Sequence, residues 1–533
     1  MRIQKKIYVL VFIALLSLVL AACASEPDSN TNESGSNDSE GGTPGGDLTI
    51  TTPADAVSLD PAASNDTPSS DVQRNIFETL VTQDENMEVQ PLLAEEWEQI
   101  DDTTWEFKLR QDVKFHDGSD FNADVVKANI DRTLDSEVGS PRAIMYNMIS
   151  EVEVVDDYTV HFKTEYPFAA LPAHLAHPGG VMISKDQIDE DYAAMEDGED
   201  AGSVISANPQ GTGPFKYDEW QPGQYVRLVN NEDYWGEPAL LDSVTFKVVT
   251  EDLTRIAELQ TGDSQVANSL SPSDVAQIEG SDHLSVQAQD SLALSYLGFN
   301  MEKEPFDDVR VRQAIAKAID KEEILSGIYD DVGIPAHTPI APSVFGYSED
   351  VKDQEYNIEE AKELLAEAGL EDGFSTTIWT NDDRQRIDTA TNIQAQLKEI
   401  GINAEVRTVE WGSMLEQTAN GEHDMFVFGW TTVTGDADNG LYPLFHSDNL
   451  GESGNRTFTV DPELDDLLDQ ARQEGDPDER LELYRQTQEL LAEITPMVYI
   501  HHQQYLLGVD DSVKGLTQSP TQLLNLKEVS IEQ

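Results

Sequence analysis

The sequence predicts a mixed α/β fold built as several lobes, and three observations carry that expectation. Trp105-Glu106-Phe107-Lys108-Leu109-Arg110 alternates apolar and polar side chains, the period of a strand with one buried face. Residues 376–409 read as a β-α-β unit, with strand Thr376–Thr380, helix Arg384–Ile400, a stop at Gly401 and strand Asn403–Val409. No segment recurs at a fixed period, which argues against solenoids and propellers. Strands and helices that alternate in separated blocks fit several α/β lobes better than one barrel.

The remaining elements follow in chain order. Glu151–Val155 and Tyr158–Phe162 flank Asp156-Asp157, the pattern of a hairpin. Across Asp308–Tyr329, Val311, Ile315, Ile319 and Ile328 recur at helical spacing behind Asp307 or Asp308 as cap, which predicts one amphipathic helix. Asn357 with Glu360 forms a capping box, and Gly369 ends that helix. Met425–Trp430 reads as an apolar strand, residues 462–493 as two acidic amphipathic helices, and Val498–Leu507 as a further strand.

Composition excludes whole classes of function. The chain has 533 residues, enough for roughly three or four domains. Hydrophobic residues make up 39%, ample for packed cores. Against 33 Lys+Arg stand 102 Asp+Glu, and a net charge of −69 leaves no attraction for nucleic acid or an anionic membrane surface. A single cysteine excludes a disulfide framework, a zinc ribbon and an iron–sulfur site built from the chain's own thiolates. The carboxylates are spread along the whole chain, so their mutual repulsion is relieved only by salt, which shortens the Debye length to about 3 Å at 1 M. A halophilic or haloalkaliphilic source is therefore expected.

The N-terminus predicts a location. Arg2, Lys5 and Lys6 precede an apolar run from Ile7 to Ala22, the layout of an export signal. The run falls short of the roughly 20 residues that span a bilayer as a helix, and without a twin-arginine pair the Sec route is favoured. Leu20-Ala21-Ala22-Cys23 resembles the bacterial lipobox, which implies removal of residues 1–22 and lipidation of Cys23. Residues 24–46 hold no Lys, Arg or large apolar side chain and read as a flexible acidic tether.

Candidate chemistry is thin. His174 and His177 lie between Pro172 and Pro178 with no carboxylate close in sequence, and His501-His502 would point to opposite faces of a strand; neither makes a convincing metal site. Gly211-Thr212-Gly213-Pro214 lacks the rest of a dinucleotide fingerprint or P-loop and reads as a turn. There is no Gly-x-Ser-x-Gly elbow and no His-Glu-x-x-His helix. No catalytic residue, metal or cofactor is expected. A secreted hydrolase is the remote alternative, and turnover of an ester, peptide or glycoside would be its sign.

Several longer segments carry a family resemblance. Leu92-Leu93-Ala94-Glu95-Glu96-Trp97, the Trp105–Arg110 strand, Val113-Lys114-Phe115-His116-Asp117-Gly118 and Asn122-Ala123-Asp124-Val125-Val126 resemble the family 5 extracellular solute-binding proteins of ABC transporters. So do Gly211-Thr212-Gly213-Pro214-Phe215, Asn230-Asn231-Glu232-Asp233-Tyr234-Trp235, Leu297-Gly298-Phe299-Asn300 and Pro305–Ala318. The blocks keep the family's order over most of residues 47–533. Gly429–His446 and Gly454-Asn455-Arg456 are most similar to the App-type oligopeptide-permease binding proteins, within the oligopeptide- and dipeptide-binding lipoproteins.

The resemblance implies a periplasmic-binding-protein-like architecture, two α/β lobes joined by a hinge plus an extra inserted domain. One discontinuous lobe would comprise 47–75, 205–288 and 506–533, the inserted domain 76–204 and the second lobe 289–505. It implies a monomer that closes on a peptide ligand and docks on an ABC permease with its ATPase subunits, at the outer face of the plasma membrane or in a periplasm. Gly429, Trp430 and Thr431 would pair their backbone with the ligand from the second lobe, and Thr67, Pro68 and Ser69 from the first. In the best-known peptide binders an Asp three residues after that Trp holds the ligand's ammonium. Here the position is Val433, a departure that makes Asp436 and Asp438 the substitute anchors. Two alternatives stay open, that these aspartates only shape a turn and that Trp430 only packs the lobe. The same fold could also bind glutathione, a nickel chelate, haem or an oligosaccharide.

Overall fold

The computed structural model describes residues 45–451 and 454–532. The expected export signal, Cys23 and all but the last two residues of the expected tether lie outside them. Among the described residues no helix is long and apolar enough to cross a membrane.

Strand β1 (Asp47–Thr52) leads to helix α1 (Thr67–Ile76). A hairpin follows, β2 (Val81–Gln83) and β3 (Val89–Pro91), then β4 (Ala94–Asp101), β5 (Thr104–Leu109), helix α2 (Ala123–Leu134), β6 (Ile149–Asp156) and β7 (Thr159–Thr164). Next come β8 (Phe215–Gln221), β9 (Tyr225–Asn230), β10 (Ser243–Val248), β11 (Val266–Ala267), β12 (Leu284–Phe299) and β13 (Ile334–Pro335). The predicted β-α-β unit appears as β14 (Ser375–Thr380), α3 (Arg384–Leu397) and β15 (Asn403–Thr408), its two strands parallel neighbours. Helix α4 (Trp411–Ala419), β16 (Met425–Thr431), α5 (Ala437–Phe445), α6 (Pro462–Gln473), α7 (Pro477–Ile494) and β17 (Met497–Asp510) complete the elements that frame the site.

Among the described residues eleven strands form one sheet, in the order β15-β14-β16-β12-β17-β11-β1-β10-β9-β8, with β13 added on β17. Its two halves are joined by the long antiparallel pair β12–β17. That pair runs from Leu284/Asp510 to Asp290/Gln504, loses register, and resumes from Leu294/His502 to Gly298/Met497. Strands β4–β7 form a separate antiparallel sheet.

Packing explains the local sequence. In β16, Met425 and Val427 join Leu297, Ile378 and Ile393 on one face, while Phe426 and Phe428 join Leu294, Tyr296 and Trp379 on the other. A strand covered on both faces has no polar side, so Met425–Phe428 reads as an unbroken apolar run. The first half of the sheet has its own core around Ile50, Phe215, Leu228 and Phe246, and β4–β7 with α2 another around Phe107, Val126 and Phe162.

One expected element divides. The single helix over Asp308–Tyr329 is two, Val309–Ala318 and Lys321–Ile328, capped by Asp308 and Asp320. The apolar spacing ran through the break because Ile319 and Ile324 enter the same core as Val311 and Ile315.

Candidate functional site

The first wall of the site is built on α1. Asp66 caps it, accepting from the Ser69 N–H at 2.8 Å, and Pro68 occupies the first turn, where its missing N–H costs nothing. The expectation that Thr67, Pro68 and Ser69 offer an extended edge to a ligand therefore needs correcting. They form a helical turn, and the Ser69 hydroxyl is spent donating to Asp66 and accepting from the Val57 N–H. Thr67 and Pro68 line a small cavity of about 160 Å³.

At the other end of α1, two of the blocks that carried the family resemblance converge. A Cβ on Gly211 would sit 2.0 Å from the Ile76 carbonyl oxygen, so only glycine lets the Gly211–Pro214 turn lie against the helix end. Glu78 is buried there and accepts from Tyr234 Oη at 2.5 Å, Trp235 Nε1 at 2.7 Å and Thr212 Oγ1 at 2.7 Å. Burial raises its pKa, and these three donors partly offset that.

The second wall is β16 and the loop after it. Gly429, Trp430 and Thr431 pair with Ser295, Leu294 and Ala293 of β12. On the opposite edge β14 reaches only Met425 and Phe426, so from Val427 onward that edge has no strand partner among the described residues. Trp430 packs on the core and donates Nε1 to the Asn439 carbonyl at 3.0 Å.

The two proposed ammonium anchors are engaged elsewhere. Asp436 caps α5 and is gripped by both terminal nitrogens of Arg480 at 2.7 Å. Asp438 meets Arg472 Nε at 2.8 Å and Nη2 at 3.0 Å. Burial would raise the Asp438 pKa, but the Arg472 charge more than offsets it and the group titrates below its ordinary range. Neither carboxylate is left over for a ligand amine, because helices α6 and α7 bring arginines onto both.

Val433 and Arg74 face one cavity of about 520 Å³, together with Glu78, Gln83, Thr517 and Asn525. The β2–β3 hairpin reaches the same loop: Gln83 Nε2 donates to the Thr434 carbonyl at 2.6 Å, and a Cβ on Gly435 would touch Met87 Cε at 2.8 Å. Farther out, the Ala169 N–H donates to the Arg472 carbonyl. The candidate histidines serve the fold: His174 Nδ1 bonds the Met145 carbonyl, and His177 accepts from the Gly179 N–H. Burial holds His501 and His502 at about 4 and about 3.

Sequence reasoning missed Arg74, Glu78 and Gln83. Glu78 left only a weak signal, the donors of the Gly-Thr-Gly-Pro turn and the Tyr-Trp pair, because Glu232 and Asp233 stand next to that pair in sequence. Arg74 and Gln83 carried no local signal.

Known proteins give this geometry its context. The family profile described as bacterial extracellular solute-binding proteins, family 5 Middle, matches residues 88–452. The dipeptide-binding protein of Escherichia coli (strain K12) is 34% identical over 475 residues, covering 84% of this chain and 86% of that protein. The glutathione-binding protein GsiB of Shigella dysenteriae serotype 1 (strain Sd197) is 34% identical over 462 residues, covering 85% and 88%. The ABC transporter-associated periplasmic binding protein DppA from Helicobacter pylori, solved with the peptide STSA, superposes with a TM-score of 0.76 at 31% identity, over 92% of this chain and 99% of that one. The α/β body thus has the two-lobe fold of the periplasmic binding proteins, and the chain belongs to the family 5 bacterial extracellular solute-binding proteins.

Proposed function

We propose that the protein captures oligopeptides in the cleft between its lobes and delivers them to an ATP-driven ABC permease. The carrying observation is that among the described residues the edge of β16 from Val427 to Thr431 has no strand partner, with Val433 two residues on in the cavity wall. An extended peptide added along that edge gains main-chain hydrogen bonds whatever its side chains, and water in a roomy pocket accommodates the rest. The dipeptide-binding relative and the peptide-bound neighbour support this cargo class.

In this reading residues 47–75, 205–288 and 506–533 move as one lobe and 289–505 as the other, with 76–204 inserted. The hinge lies where β12 and β17 lose register between Asp290 and Leu294. The protein works as a monomer held outside the plasma membrane through lipidated Cys23, and catalysis has no part in it. Glutathione is the second reading, supported by the 34% identical glutathione-binding relative.

Calorimetric titration with alanine peptides of two to eight residues and with glutathione separates the two. Binding of several peptide lengths more tightly than glutathione is expected; glutathione binding above every peptide reverses the reading. The halophilic expectation has its own check, a melting temperature that rises between about 0.1 and 3 M salt as repulsion among carboxylates is screened.

A further inference from the structure

We infer that Arg74 is the carboxylate anchor of the cleft, so that the site reads the ligand's negative end. This rests on the peptide reading above and names the charge that such a ligand presents.

Arg74 stands in the last turn of α1 and lines the 520 Å³ cavity half-buried. The C-terminal end of a helix favours a cation, which makes an arginine tolerable there. It does not supply a partner for the guanidinium, which among the described residues donates no hydrogen bond and meets no carboxylate. Every acid nearby is accounted for. Glu78 is taken by Tyr234, Trp235 and Thr212. Asp71 accepts from the Leu524 N–H at 2.8 Å and faces Asn268 at 3.5 Å. Asp84 is tied to the N–H groups of Asn86 and Glu88 and to Gln90. Glu528 meets Lys527 at 3.4 Å, and Glu85 is exposed. Burial weakens the hold of Arg74 on its proton, and Asp71 is the one charge that opposes this.

A guanidinium kept out of water with Asp71 as its one neighbouring charge and no hydrogen-bonded carboxylate is unfavourable unless one arrives. A carboxylate fits its fork in two parallel hydrogen bonds. The second lobe agrees in sign, because its contribution to this cavity is the apolar Val433 and its two loop aspartates are closed off by arginines. The cavity therefore offers a guanidinium with no hydrogen-bonded acid among the described residues, and its one acid without a partner, Glu85, is exposed to solvent.

The test is calorimetric titration of the wild type, Arg74→Gln and Arg74→Lys with trialanine, trialanine amide, Ala-Glu-Ala amide and glutathione. The wild type should bind trialanine at least about tenfold more tightly than its amide. Arg74→Gln should bring the acid down to the level of the amide without moving the amide, and Arg74→Lys should keep part of the preference. Tight binding of Ala-Glu-Ala amide would assign the anchor to side-chain carboxylates instead of the terminal one. An acid-to-amide ratio near one in the wild type, or a ratio unchanged in Arg74→Gln, overturns the inference; the first reading needs no variant to fold. If all three peptides fail and glutathione binds in an Arg74-dependent way, the peptide reading falls and the anchor stands. Failure of all four ligands overturns both.

Discussion

Two regions of the molecule hold arginines out of water in opposite ways. Behind the second wall, Arg480 and Arg472 are each matched by a buried aspartate in two-pronged contacts, and Arg472 also lies 3.2 Å from the centre of the Tyr442 ring. In the cavity, Arg74 has no such match. The matched pairs leave nothing over for a ligand and pin α5, α6 and α7 together, whereas the unmatched cation leaves its chemistry available. Arg142 and Arg312 also lack a carboxylate, but they donate to backbone carbonyls and a hydroxyl, whereas Arg74 lines a cavity and donates no hydrogen bond among the described residues.

The largest effect comes from turning a matched arginine into an unmatched one. Asp436→Ala strands Arg480 in the core and should cost about 3–5 kcal/mol in chemical denaturation, with little change in ligand affinity per folded molecule. Gly211→Ala follows, because its Cβ would collide with the Ile76 carbonyl and push the end of α1 that carries Arg74; a loss of about 2–3 kcal/mol is expected, accompanied by weaker peptide binding.

A smaller effect concerns pH. Burial lifts Asp71 to about 7 from an ordinary 3.8. The fold thus favours its protonated form, so its contribution to stability is complete below about pH 4 and is lost as the pH rises through about 7. Asp71→Asn should flatten that part of a stability–pH curve; an unchanged slope would remove Asp71 as its source. The smallest effect is the sharpest contrast. In ligand-free protein Arg74→Gln should leave stability within about 0.5 kcal/mol of wild type, because no native partner is lost.

Much of the fold was legible because its signals are local. The alternation at Trp105–Leu109, the Gly401 stop and the capping Asn357 each fix their own neighbourhood, and the observed strands and helices follow them. The one helix that split shows the limit of periodicity: Ile319 keeps the apolar spacing, while Asp320 caps a new helix two residues before Glu322. The site was less legible because its pairings are distant. Asp436 and Asp438 read as free acids beside a departure from the family pattern, and only the packing of α6 and α7, more than thirty residues on, brings arginines to them. Thr67–Ser69 looked like an edge until Asp66 closed a helix over it. Arg74 gains meaning only when the hairpin, the Val433 loop and residues 515–528 enclose it.

The most direct measurement is native mass spectrometry of residues 24–533, purified in high salt and transferred quickly to a volatile buffer. A receptor that closes on peptides through its backbone edge and Arg74 should retain a ladder of peptides of differing length, each with a free carboxyl group. A single defined adduct without peptide bonds would contradict it.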